Sequence, residues 1–481
     1  MRSEVRYHPS VELWPAQKTA VELLEEHDNF ALLMAMRTGK SAPILTDFGQ
    51  RELRQECRDI LIIAPAGVYK TWLANIDLYA SADLKKRLTT LVWQSGTTTQ
   101  TQVAKFLGTS GPRCLLVNVE ALSLASSQAR PLCEKFLHQR DAVAVIDEST
   151  VIKNPKAKRT KYILRTLAPL ARYRRILSGL PTPRNPLDLY CQFAFLDKSI
   201  LGQPNYQGFE REHAIIKRDF WGGRWVEHVV GFLPGTEDKL RRMTAPHSYR
   251  VEFRPKVPSS YSIREVSLTP EQKQHYAAMR DFATTKLADE SHVTATVVIA
   301  QIMKMHQILC GWVRDENGDV KSVPERRTSA LLEELEDYPG KAIVWFSYVE
   351  NLDRAAAAIQ EEYGIGSLAK FYGDNASTRE ADEERFKSDP HCRFMLATAG
   401  AGGMGRTWSN ADRVVYFSST NNLEHREQSE QRSLGVQKDR GVDYVDLIAP
   451  DTVDMKILKA LREKINMASA INGDNYREWI V

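Results

Sequence analysis

The sequence predicts an α/β protein with two parallel-sheet lobes joined by a largely helical, aromatic-rich insertion. Short runs of Ile, Val and Leu alternate with helical stretches in the first part of the chain, which is typical of strands buried on both faces of a parallel sheet. The same alternation returns in the last third of the chain. At 481 residues the chain is also too long for a single hydrophobic core.

The predicted strands define the two lobes. In the first lobe they are residues 60–64, 114–117, 142–146 and 175–178, and in the second lobe they are residues 341–346, 393–398, 413–417 and 442–448. Alternation of these strands with helices predicts a parallel, doubly wound sheet in each lobe. We therefore expect lobe 1 at residues 1–195, the insertion at 196–325, and lobe 2 with a C-terminal helix at 326–481.

Composition indicates a soluble protein of a reducing compartment. No segment approaches the roughly 18 uninterrupted apolar residues of a membrane-spanning helix, and the N-terminus lacks the apolar core of a secretory signal. The six cysteines are isolated from one another, without the paired spacings of zinc or iron-sulfur sites. We expect them to be small core residues.

Residues 36–41 read Met-Arg-Thr-Gly-Lys-Ser between an apolar run and a predicted helix, which is the pattern of a phosphate loop. In such a loop, backbone N–H groups hold phosphate oxygens, Lys40 can reach the β and γ phosphates of ATP, and the Ser41 hydroxyl can bind Mg²⁺. The first glycine of the full pattern is replaced by Met34. This motif alone therefore leaves a plain strand-to-helix turn as the alternative.

An acid pair strengthens the phosphate-loop interpretation. The apolar strand at residues 142–146 ends in Asp147 and Glu148. A nucleotide hydrolase needs acids there, because Asp147 can hold Mg²⁺ through water and Glu148 can position and deprotonate the attacking water. A surface Asp-Glu turn is the alternative, and the apolar strand that delivers the pair disfavours it.

A third motif makes the order of motifs recognisable. Residues 177–181 read Leu-Ser-Gly-Leu-Pro at the end of another apolar run, and residues 152–155 extend the acid pair with Ile-Lys-Asn-Pro. With these motifs the chain resembles the core of helicase superfamily two and its Swi/Snf-like branch, especially compact members carried by bacteriophages. The resemblance covers nearly the whole chain and implies two RecA-like lobes that close on ATP and Mg²⁺.

In the first lobe, the resemblance implies roles for residues at matching positions. Gln17 lies where the family places a glutamine against adenine, and Asp147 and Ser41 lie where it holds the metal. The implied sets are the ATP-binding residues Gln17, Thr38, Gly39, Lys40 and Ser41, the nucleic-acid contacts Pro65, Lys70, Asn118, Lys153 and Asn154, and the coupling residues Ser178, Gly179 and Pro181.

In the second lobe, residues 344–347, 398–405 and 428–432 are similar to three further family motifs. The resemblance implies that Ser347 and Thr398 contact nucleic acid and that Gly405 binds ATP. It places Gln428 and Arg432 in catalysis, with Arg432 completing the ATP site from the opposite lobe.

The second-lobe glycines also fit a different fold. Gly400, Gly402 and Gly405 spell a dinucleotide-binding fingerprint after a strand. However, only seven residues separate Gly405 from the next apolar run at Arg413, which is too short for the helix that would bind a pyrophosphate. We therefore reject a dinucleotide-binding fold.

The chain departs from the family pattern at two important positions. Arg37 stands where a glycine is commoner, and Gly435 replaces the second arginine of the sixth motif. An arginine supplied across the cleft stabilises charge that develops on the γ-phosphate. Either Arg432 does this alone, Lys438 or Arg440 substitutes, or hydrolysis is weak.

Two further segments are candidate nucleic-acid surfaces. Residues 151–175 hold nine Lys or Arg and no acid, which attracts phosphate backbones. Lys217, Arg218, Phe220 and Trp225, with Trp221 and Arg224, interleave cations and aromatics around a Gly-Gly turn. The alternatives are a solvated helical face for the first segment and aromatics packed onto neighbours for the second.

The resemblance implies an ATP-dependent DNA translocase or helicase acting on duplex, branched or single-stranded DNA in replication, recombination or repair. Replication or recombination proteins are its expected partners, and the cytoplasm of a bacterial or phage-infected cell is its expected location, away from membranes. Two alternatives remain open. One is a degenerate helicase fold that binds nucleic acid with little or no hydrolysis, and the other is an RNA-directed helicase.

Overall fold

The computed structural model describes residues 6–463, with gaps at 66–67, 180, 183–184, 222–223, 253–256, 290–294, 315–317, 337, 374, 376, 401–406, 421 and 435–437. The chain divides into two compact units, the first taking the residues up to 254 and the second taking the rest apart from the segment 403–405. The three-part division at residues 195 and 325 stays a prediction.

Unit 1 is built on a seven-stranded sheet in the order β3-β4-β2-β5-β6-β1-β9, in which every neighbouring pair is parallel. Two further strands, β7 and β8, form a separate antiparallel hairpin. The nine strands are β1 (Asn29–Met34), β2 (Asp59–Ala64), β3 (Thr89–Val92), β4 (Arg113–Asn118), β5 (Ala142–Ile146), β6 (Tyr173–Leu177), β7 (Ala214–Trp221), β8 (Arg224–Phe232) and β9 (Ser248–Val251).

Helices cover both faces of this sheet, because alternate strand residues point to opposite sides and both sets are apolar. Phe30 and Leu32 belong to one buried cluster, while Ala31 and Leu33 belong to the other. The helices are α1 (Pro15–Glu26), α2 (Ser41–Leu53), α3 (Tyr69–Tyr79), α4 (Ala82–Arg87), α5 (Gln100–Leu107), α6 (Ala129–Gln139), α7 (Lys158–Tyr162), α8 (Ala168–Leu170), α9 (Leu189–Leu196), α10 (Tyr206–His213) and α11 (Thr236–Thr244).

Unit 2 contains a six-stranded sheet, also parallel at every pair, in the order β10-β17-β16-β13-β15-β14. A small antiparallel pair, β11 and β12, lies outside it. The strands are β10 (Ser260–Glu265), β11 (Trp312–Arg314), β12 (Val320–Ser322), β13 (Ala342–Phe346), β14 (Leu368–Phe371), β15 (Phe394–Thr398), β16 (Arg413–Tyr416) and β17 (Asp443–Ile448).

The helices of unit 2 bury its sheet in the same way. They are α12 (Pro270–Asp289), α13 (Ala295–Leu309), α14 (Arg327–Glu336), α15 (Val349–Tyr363), α16 (Arg379–Ser388), α17 (Leu423–Ser433) and α18 (Val453–Arg462). Val344 and Trp345 belong to opposite apolar clusters, as the strand period requires.

The predicted fold class is confirmed: two parallel-sheet units carry all eight strands that the sequence predicts. The region predicted as the insertion supplies elements to both units, since β9 joins the first sheet and β10 joins the second. All six cysteines are buried and free, as expected. Across the described residues, we find no helix that is both long and apolar enough to cross a membrane.

Candidate active site and nucleic-acid surfaces

The carboxyl ends of the parallel strands in unit 1 lie at one edge of its sheet, where α/β proteins place their ligands. The segments that leave this edge are those the sequence singled out. The phosphate loop follows β1, Pro65 follows β2, Asn118 ends β4, the acid pair follows β5, and Ser178 follows β6.

The phosphate loop between β1 and α2 turns through two left-handed residues. Arg37 has φ 71° and Gly39 has φ 69°. A Cβ on Gly39 would lie 2.4 Å from Nε2 of Gln17, so both the backbone conformation and the available space require glycine there. The Thr38 hydroxyl, which donates to the Ala35 carbonyl at 2.7 Å, closes the turn from within.

The conformation of Arg37 explains why its identity is unusual. A left-handed backbone is comfortable for glycine and costs an L-residue free energy. The glycine that the family pattern favours at this position therefore suits the observed φ of 71°. The chain keeps the loop geometry while carrying an arginine, so the departure does not change the course of the loop.

Gln17 braces the phosphate loop. It is buried, and its Nε2 donates to the carbonyls of Thr38 at 3.2 Å and Gly39 at 3.3 Å. Its Oε1 accepts from the backbone N–H of Trp14 at 3.0 Å, which fixes the side chain at the start of α1. The adenine contact predicted for Gln17 stays a prediction.

Lys40 and Asp147 form the charged centre of the site. Lys40 Nζ donates to the Met34 carbonyl at 3.0 Å, within the loop itself. Asp147 is buried, and its carboxylate accepts from Trp72 Nε1 at 2.8 Å and from the Glu148 N–H at 3.0 Å. Burial raises the pKa of Asp147 above its usual value, against the opposing effects of the Lys40 charge and these two donors.

Glu148 is held in a strained conformation. Its φ of 50° and ψ of 64° are left-handed, and it is buried directly before the 3₁₀ turn at Ser149–Ile152. Such strain in a non-glycine residue is typical of functional positions, where the surrounding structure holds a side chain in one direction. The strained backbone therefore occurs at Glu148, the residue that we predicted from the sequence to activate water.

The oxygen atoms of Ser41 and Asp147 fit the chemistry of Mg²⁺. Mg²⁺ in nucleotide sites binds through one or two protein oxygens together with substrate phosphates and water. Within the described ranges, no group of three or more His, Cys, Asp or Glu is placed to hold a metal. The Ser41 hydroxyl also accepts from Asn75 Nδ2 at 3.0 Å.

The predicted coupling residues lie against the phosphate loop. Ser178 is buried at the end of β6, and a Cβ on Gly179 would lie 3.1 Å from the Met36 backbone nitrogen. Gln192 of α9 joins this motif to the acid-pair segment, because its Nε2 donates to the Pro181 carbonyl at 2.6 Å and its Oε1 accepts from the Ser149 hydroxyl at 2.6 Å.

Sequence reasoning missed Trp72, Asn75 and Gln192. Each lies in a helix whose sequence pattern predicts only packing against the sheet. Its place in the site becomes visible only from the residue with which it forms a hydrogen bond. The weak signal available for Gln192 was its place among the buried apolar residues of α9, where an amide needs a partner.

The predicted nucleic-acid contacts in unit 1 lie at or beyond the same edge. Pro65 is buried at the end of β2 and Asn118 is half-buried at the end of β4, while Asn154 is exposed and Lys153 is half-buried just after the acid pair. Lys70 lies in the first turn of α3, and its side chain is outside the described part. These contacts stay predictions.

The basic segment at residues 151–175 separates into two groups. Arg175 is buried and donates to Asp47 at 3.1 Å, so this arginine belongs to the core of the unit. Exposed cations remain at Lys156, Lys158, Lys161, Arg165 and Arg172, of which Arg172 forms a surface ion pair with Asp141 at 2.7 Å. Burial of Arg175 therefore removes one cation from the basic surface that composition indicates, and the nucleic-acid contact stays a prediction.

The hairpin β7–β8 presents an exposed aromatic pair. Ile216 and Val229 pack against the unit 1 core near its base. Farther along, Phe220 and Trp225 face each other in register with ring centroids 5.3 Å apart, and they are 51% and 57% exposed. The guanidinium of Arg218 lies 5.2 Å from the Trp225 ring.

The aromatic pair bears on the two interpretations of this segment. Phe220 and Trp225 pack on each other, while more than half of each remains open to solvent. These two rings are therefore not buried against neighbouring elements, and their contact with nucleic acid stays a prediction. The side chains of Trp221 and Arg224 and the glycine turn at residues 222–223 lie outside the description.

The carboxyl edge of the unit 2 sheet contains a cavity of about 210 Å³. Ser347, Thr398, Ser419 and Thr420 contribute hydroxyls to its wall, and His306 and His425 contribute imidazoles. Ser347 is fixed by Ser418, whose hydroxyl accepts from the Ser347 N–H at 2.8 Å. Ser347 and Thr398, predicted separately from sequence, thus share one cavity.

The sixth-motif residues lie on or after α17. Gln428 is half-buried, and Arg432 is 4% exposed with its guanidinium 5.2 Å from the Trp408 ring and 5.7 Å from the Trp345 ring. Lys438 pairs with Asp412 at 2.8 Å.

Arg440 contrasts with these buried cations, since its side chain is 84% exposed. The ATP-binding prediction for Gly405 and the departure at Gly435 lie outside the described residues.

Comparison with known proteins gives two family matches. The family model described as the SNF2-related domain matches residues 30–312, and that of the helicase conserved C-terminal domain matches residues 326–434.

The chain is also similar to named proteins and a solved structure. It is 24% identical to the TATA-binding protein-associated factor mot1 of Aspergillus fumigatus, over 68% of this chain and 20% of that protein. It is 22% identical to an uncharacterized ATP-dependent helicase of Mycoplasma pneumoniae, over 73% and 32%. A solved Sulfolobus solfataricus SWI2/SNF2 ATPase core in complex with dsDNA is 20% identical, covers 100% of this chain and 98% of that chain, and has a TM-score of 0.43. The chain thus spans a fifth to a third of the length of these two relatives.

Proposed function

The chain belongs to the SNF2-related domain family, and from that premise we propose that it is an ATP hydrolase stimulated by nucleic acid and coupled to movement along DNA. The carrying observation is that one edge of the unit 1 sheet brings together the phosphate loop, Lys40, Asp147 and Glu148. Duplex or branched DNA met in replication, recombination or repair is the proposed track. Compact bacteriophage motors are the proposed counterparts.

The residues of unit 1 divide the work of hydrolysis. The loop N–H groups and Lys40 hold the phosphates, Ser41 and Asp147 hold Mg²⁺, and Glu148 accepts a proton from the attacking water. When bound, Mg²⁺ neutralises charge on the phosphate oxygens. Gln17 and Gly179 keep the loop in shape from its two sides.

A cation from unit 2 completes the proposal. Arg432 matches the family position, yet its guanidinium lies among indole rings within its own unit. Arg440 is 84% exposed and lies 3.8 Å from Asp412, so its side chain is the more accessible of the two cations. Single substitutions Arg432→Ala and Arg440→Ala, measured for stimulated hydrolysis and for thermal unfolding, identify which cation acts on ATP and which stabilises the fold.

Nucleic acid is proposed to be held mainly through phosphates. Exposed cations near the acid pair suit backbone contacts without strong sequence preference, so binding should weaken with salt. The aromatic pair on the hairpin adds a surface on which bases can stack.

The retained geometry weighs against a degenerate, non-hydrolysing fold. Such a fold has no need to hold a strained glutamate or to keep a left-handed loop through an arginine, yet both features are present at Glu148 and Arg37. We therefore propose hydrolysis over binding alone.

The test is steady-state ATP hydrolysis with Mg²⁺ for the wild type and Glu148→Gln. Each is measured without nucleic acid and with duplex, forked and single-stranded DNA and RNA of equal length. Stimulation by DNA, with a loss of about 100-fold or more in the variant, supports the proposal. Binding without hydrolysis overturns it in favour of a binding module, and preferential stimulation by RNA overturns the DNA assignment.

A further inference from the structure

Helix α3 contacts both side chains that are proposed to hold Mg²⁺. Trp72 is fully buried, and its Nε1 donates to Oδ2 of Asp147 at 2.8 Å. Asn75 donates from Nδ2 to Oγ of Ser41 at 3.0 Å. Asp147 follows β5 and Ser41 begins α2, so α3 is a third element that touches both ligands.

The spacing of these two donors places them on the same face of α3. Residues three apart on a helix lie on the same face, so Trp72 and Asn75 project toward the site together. Neither side chain reaches the other's acceptor, and each ligand receives its own donor. A small rotation or shift of α3 therefore changes both hydrogen bonds at once.

The start of α3 connects it to the predicted nucleic-acid contacts. The Val68 N–H donates to the Pro65 carbonyl at 2.8 Å, and the Thr71 N–H donates to the Val68 carbonyl at 2.9 Å. Pro65 and Lys70 are the residues predicted to meet the phosphate backbone. Pro65 is therefore linked by hydrogen bonds to the residues at the start of α3.

A second buried tryptophan of unit 1 shows that the Trp72 hydrogen bond is not a requirement of packing. Trp93 is buried in the same sheet unit, yet its Nε1 has no hydrogen-bond partner among the residues that the structure describes. An indole N–H can thus be buried in this unit without an acceptor. The bond from Trp72 to Asp147 is a specific arrangement, of the kind that orients a metal ligand from behind.

We propose that Trp72 and Asn75 are positioning residues for the Mg²⁺ ligands, and that α3 is the connection through which bound nucleic acid acts on the nucleotide site. The Trp72 N–H donates to Oδ2 of Asp147 and the Glu148 N–H donates to Oδ1, so the two donors together fix the orientation of the carboxylate that would hold the metal. Asn75 turns the lone pairs of the Ser41 hydroxyl in the same way. This inference rests on the proposed function and adds the path by which the track stimulates hydrolysis.

The test compares Trp72→Phe and Asn75→Ala with the matched control Trp93→Phe. Trp72→Phe removes the donor and keeps most of the bulk, whereas Trp93→Phe removes an N–H that serves no acceptor. Binding of mant-ADP is titrated with and without Mg²⁺, so that ligand positioning is read without turnover. Two further measurements test whether α3 connects bound DNA to the nucleotide site. They are ATP hydrolysis with and without duplex DNA, and hydrogen exchange of residues 69–79 before and after DNA is added.

We expect Trp72→Phe and Asn75→Ala to weaken the Mg²⁺-dependent part of mant-ADP binding by about 10–100-fold, the usual effect of losing a partner behind a metal ligand. Their stimulation by DNA should fall toward onefold, while Trp93→Phe matches the wild type. In the wild type, DNA should slow exchange in α3.

If Trp72→Phe and Asn75→Ala behave like Trp93→Phe while the wild type is stimulated by DNA, the inference is wrong and the proposed function stands. If the wild type does not hydrolyse ATP, the proposed function fails, and the mant-ADP titration still decides the positioning role. Should Trp72→Phe not fold, the half-buried Asn75 carries the comparison alone.

Discussion

The carboxyl edges of the two sheets are built alike and carry different chemistry. In unit 1 the segments that leave the edge carry the ionisable side chains of Lys40, Asp147 and Glu148. In unit 2 the corresponding edge is lined by hydroxyls and two imidazoles around a cavity. The same parallel-sheet architecture therefore supplies one edge for which we propose catalysis and one edge for which we propose contact with nucleic acid.

Backbone strain follows this difference. Among the described non-glycine residues, a positive φ occurs at Arg37, Gln55, Glu148 and Asp451. Two of these four, Arg37 and Glu148, belong to the candidate site of unit 1, in the phosphate loop and the acid pair. The difference teaches that the reactive edge is marked by its geometry as well as by its composition.

Charges near the unit 2 edge are balanced within the unit. Asp446 accepts from Arg426 at 2.6 Å and 3.0 Å, and the guanidinium of Arg426 stacks 3.5 Å from the Tyr416 ring centroid. Arg327 is buried and donates to Asp454 and to the Phe417 carbonyl. Such pairs fix elements to one another and leave little charge for a ligand.

The largest effects are expected from substitution of a buried aspartate in each unit, Asp147 in unit 1 and Asp446 in unit 2. Asp147→Asn should lower hydrolysis by about 100-fold or more, because a preorganised charge at the reacting centre is lost. It should also lower thermal stability, because the asparagine keeps one acceptor oxygen where the carboxylate accepts from both the Trp72 and the Glu148 N–H groups. Asp446→Asn should destabilise unit 2 by about 3–5 kcal/mol, because the Arg426 charge loses its main partner in the interior.

ATPase assays and denaturant unfolding of both variants check this pair of effects. A stable Asp446→Asn protein, or an active Asp147→Asn protein, would remove the contrast between a reactive edge and a scaffold edge.

The next effect concerns His306, which lies on α13 beside the unit 2 cavity. Its Nδ1 is 3.0 Å from the Tyr348 hydroxyl, and its Nε2 is 3.4 Å from Asp454 without hydrogen-bond geometry. Burial lowers the pKa of His306 from 6.5 to about 4, with Arg327 adding to the decrease and Asp454 opposing it. The His306 imidazole is therefore neutral at pH 7.

Stability of unit 2 should consequently fall as the pH drops from 6.5 toward 4. In that pH range His306 is protonated in the unfolded chain and neutral in the folded chain. This difference lowers the free energy of unfolding by about 2 kcal/mol at pH 5. Chemical denaturation at pH 7.5 and pH 5 of the wild type and His306→Gln measures it. We expect the variant to lose less stability on acidification, and an identical pH dependence would contradict the assignment.

A smaller effect is expected at the hairpin. Phe220→Ala and Trp225→Ala should each weaken binding of forked or single-stranded DNA by about 1–3 kcal/mol, the range for loss of a ring that stacks on a base. Tyr261→Ala is the control, because Tyr261 is a 54% exposed ring in unit 2 that stacks on Tyr444.

Fluorescence anisotropy at fixed salt gives the affinities. Trp225→Tyr should retain most of the binding because a ring remains. If all variants bind DNA equally while the hairpin variants lose a protein partner, the hairpin is a protein contact instead.

The smallest effect tests the strained loop. At φ 71° a glycine should be more stable than an alanine by about 1 kcal/mol, so Arg37→Gly should unfold later than Arg37→Ala. Gln55, with φ 58° outside the site, provides the reference pair Gln55→Gly and Gln55→Ala. An alanine variant at least as stable as the glycine variant at residue 37 would show that the loop does not impose this backbone.

Much of the fold followed from local pattern. The strands at 60–64, 142–146 and 413–417 were predicted within one or two residues, since continuous runs of β-branched and aliphatic residues suit strands buried on both faces. The insertion was less predictable. Its residues are divided between two sheets through β9 and β10, and pairing with a distant strand leaves no mark in a short segment.

The candidate site was predictable where a motif is contiguous. Lys40, Asp147 and Glu148 can be recognised from the residues next to them in the sequence. Trp72 and Asn75 do not, because their function depends on acceptors 75 and 34 positions away. The basic segment shows the opposite case, since its composition gives no sign that Arg175 is buried against Asp47 while Arg172 stays exposed.

The sequence by itself determined the parallel-sheet class, the phosphate loop and the acid pair, because each depends on residues adjacent in the chain. Only the tertiary structure decided which polar residues form hydrogen bonds with these groups, which cations are buried in ion pairs, and which aromatic rings are exposed to solvent. The physical reason is that hydrogen bonds and ion pairs act over a few ångströms, and folding alone sets which distant residues come that close.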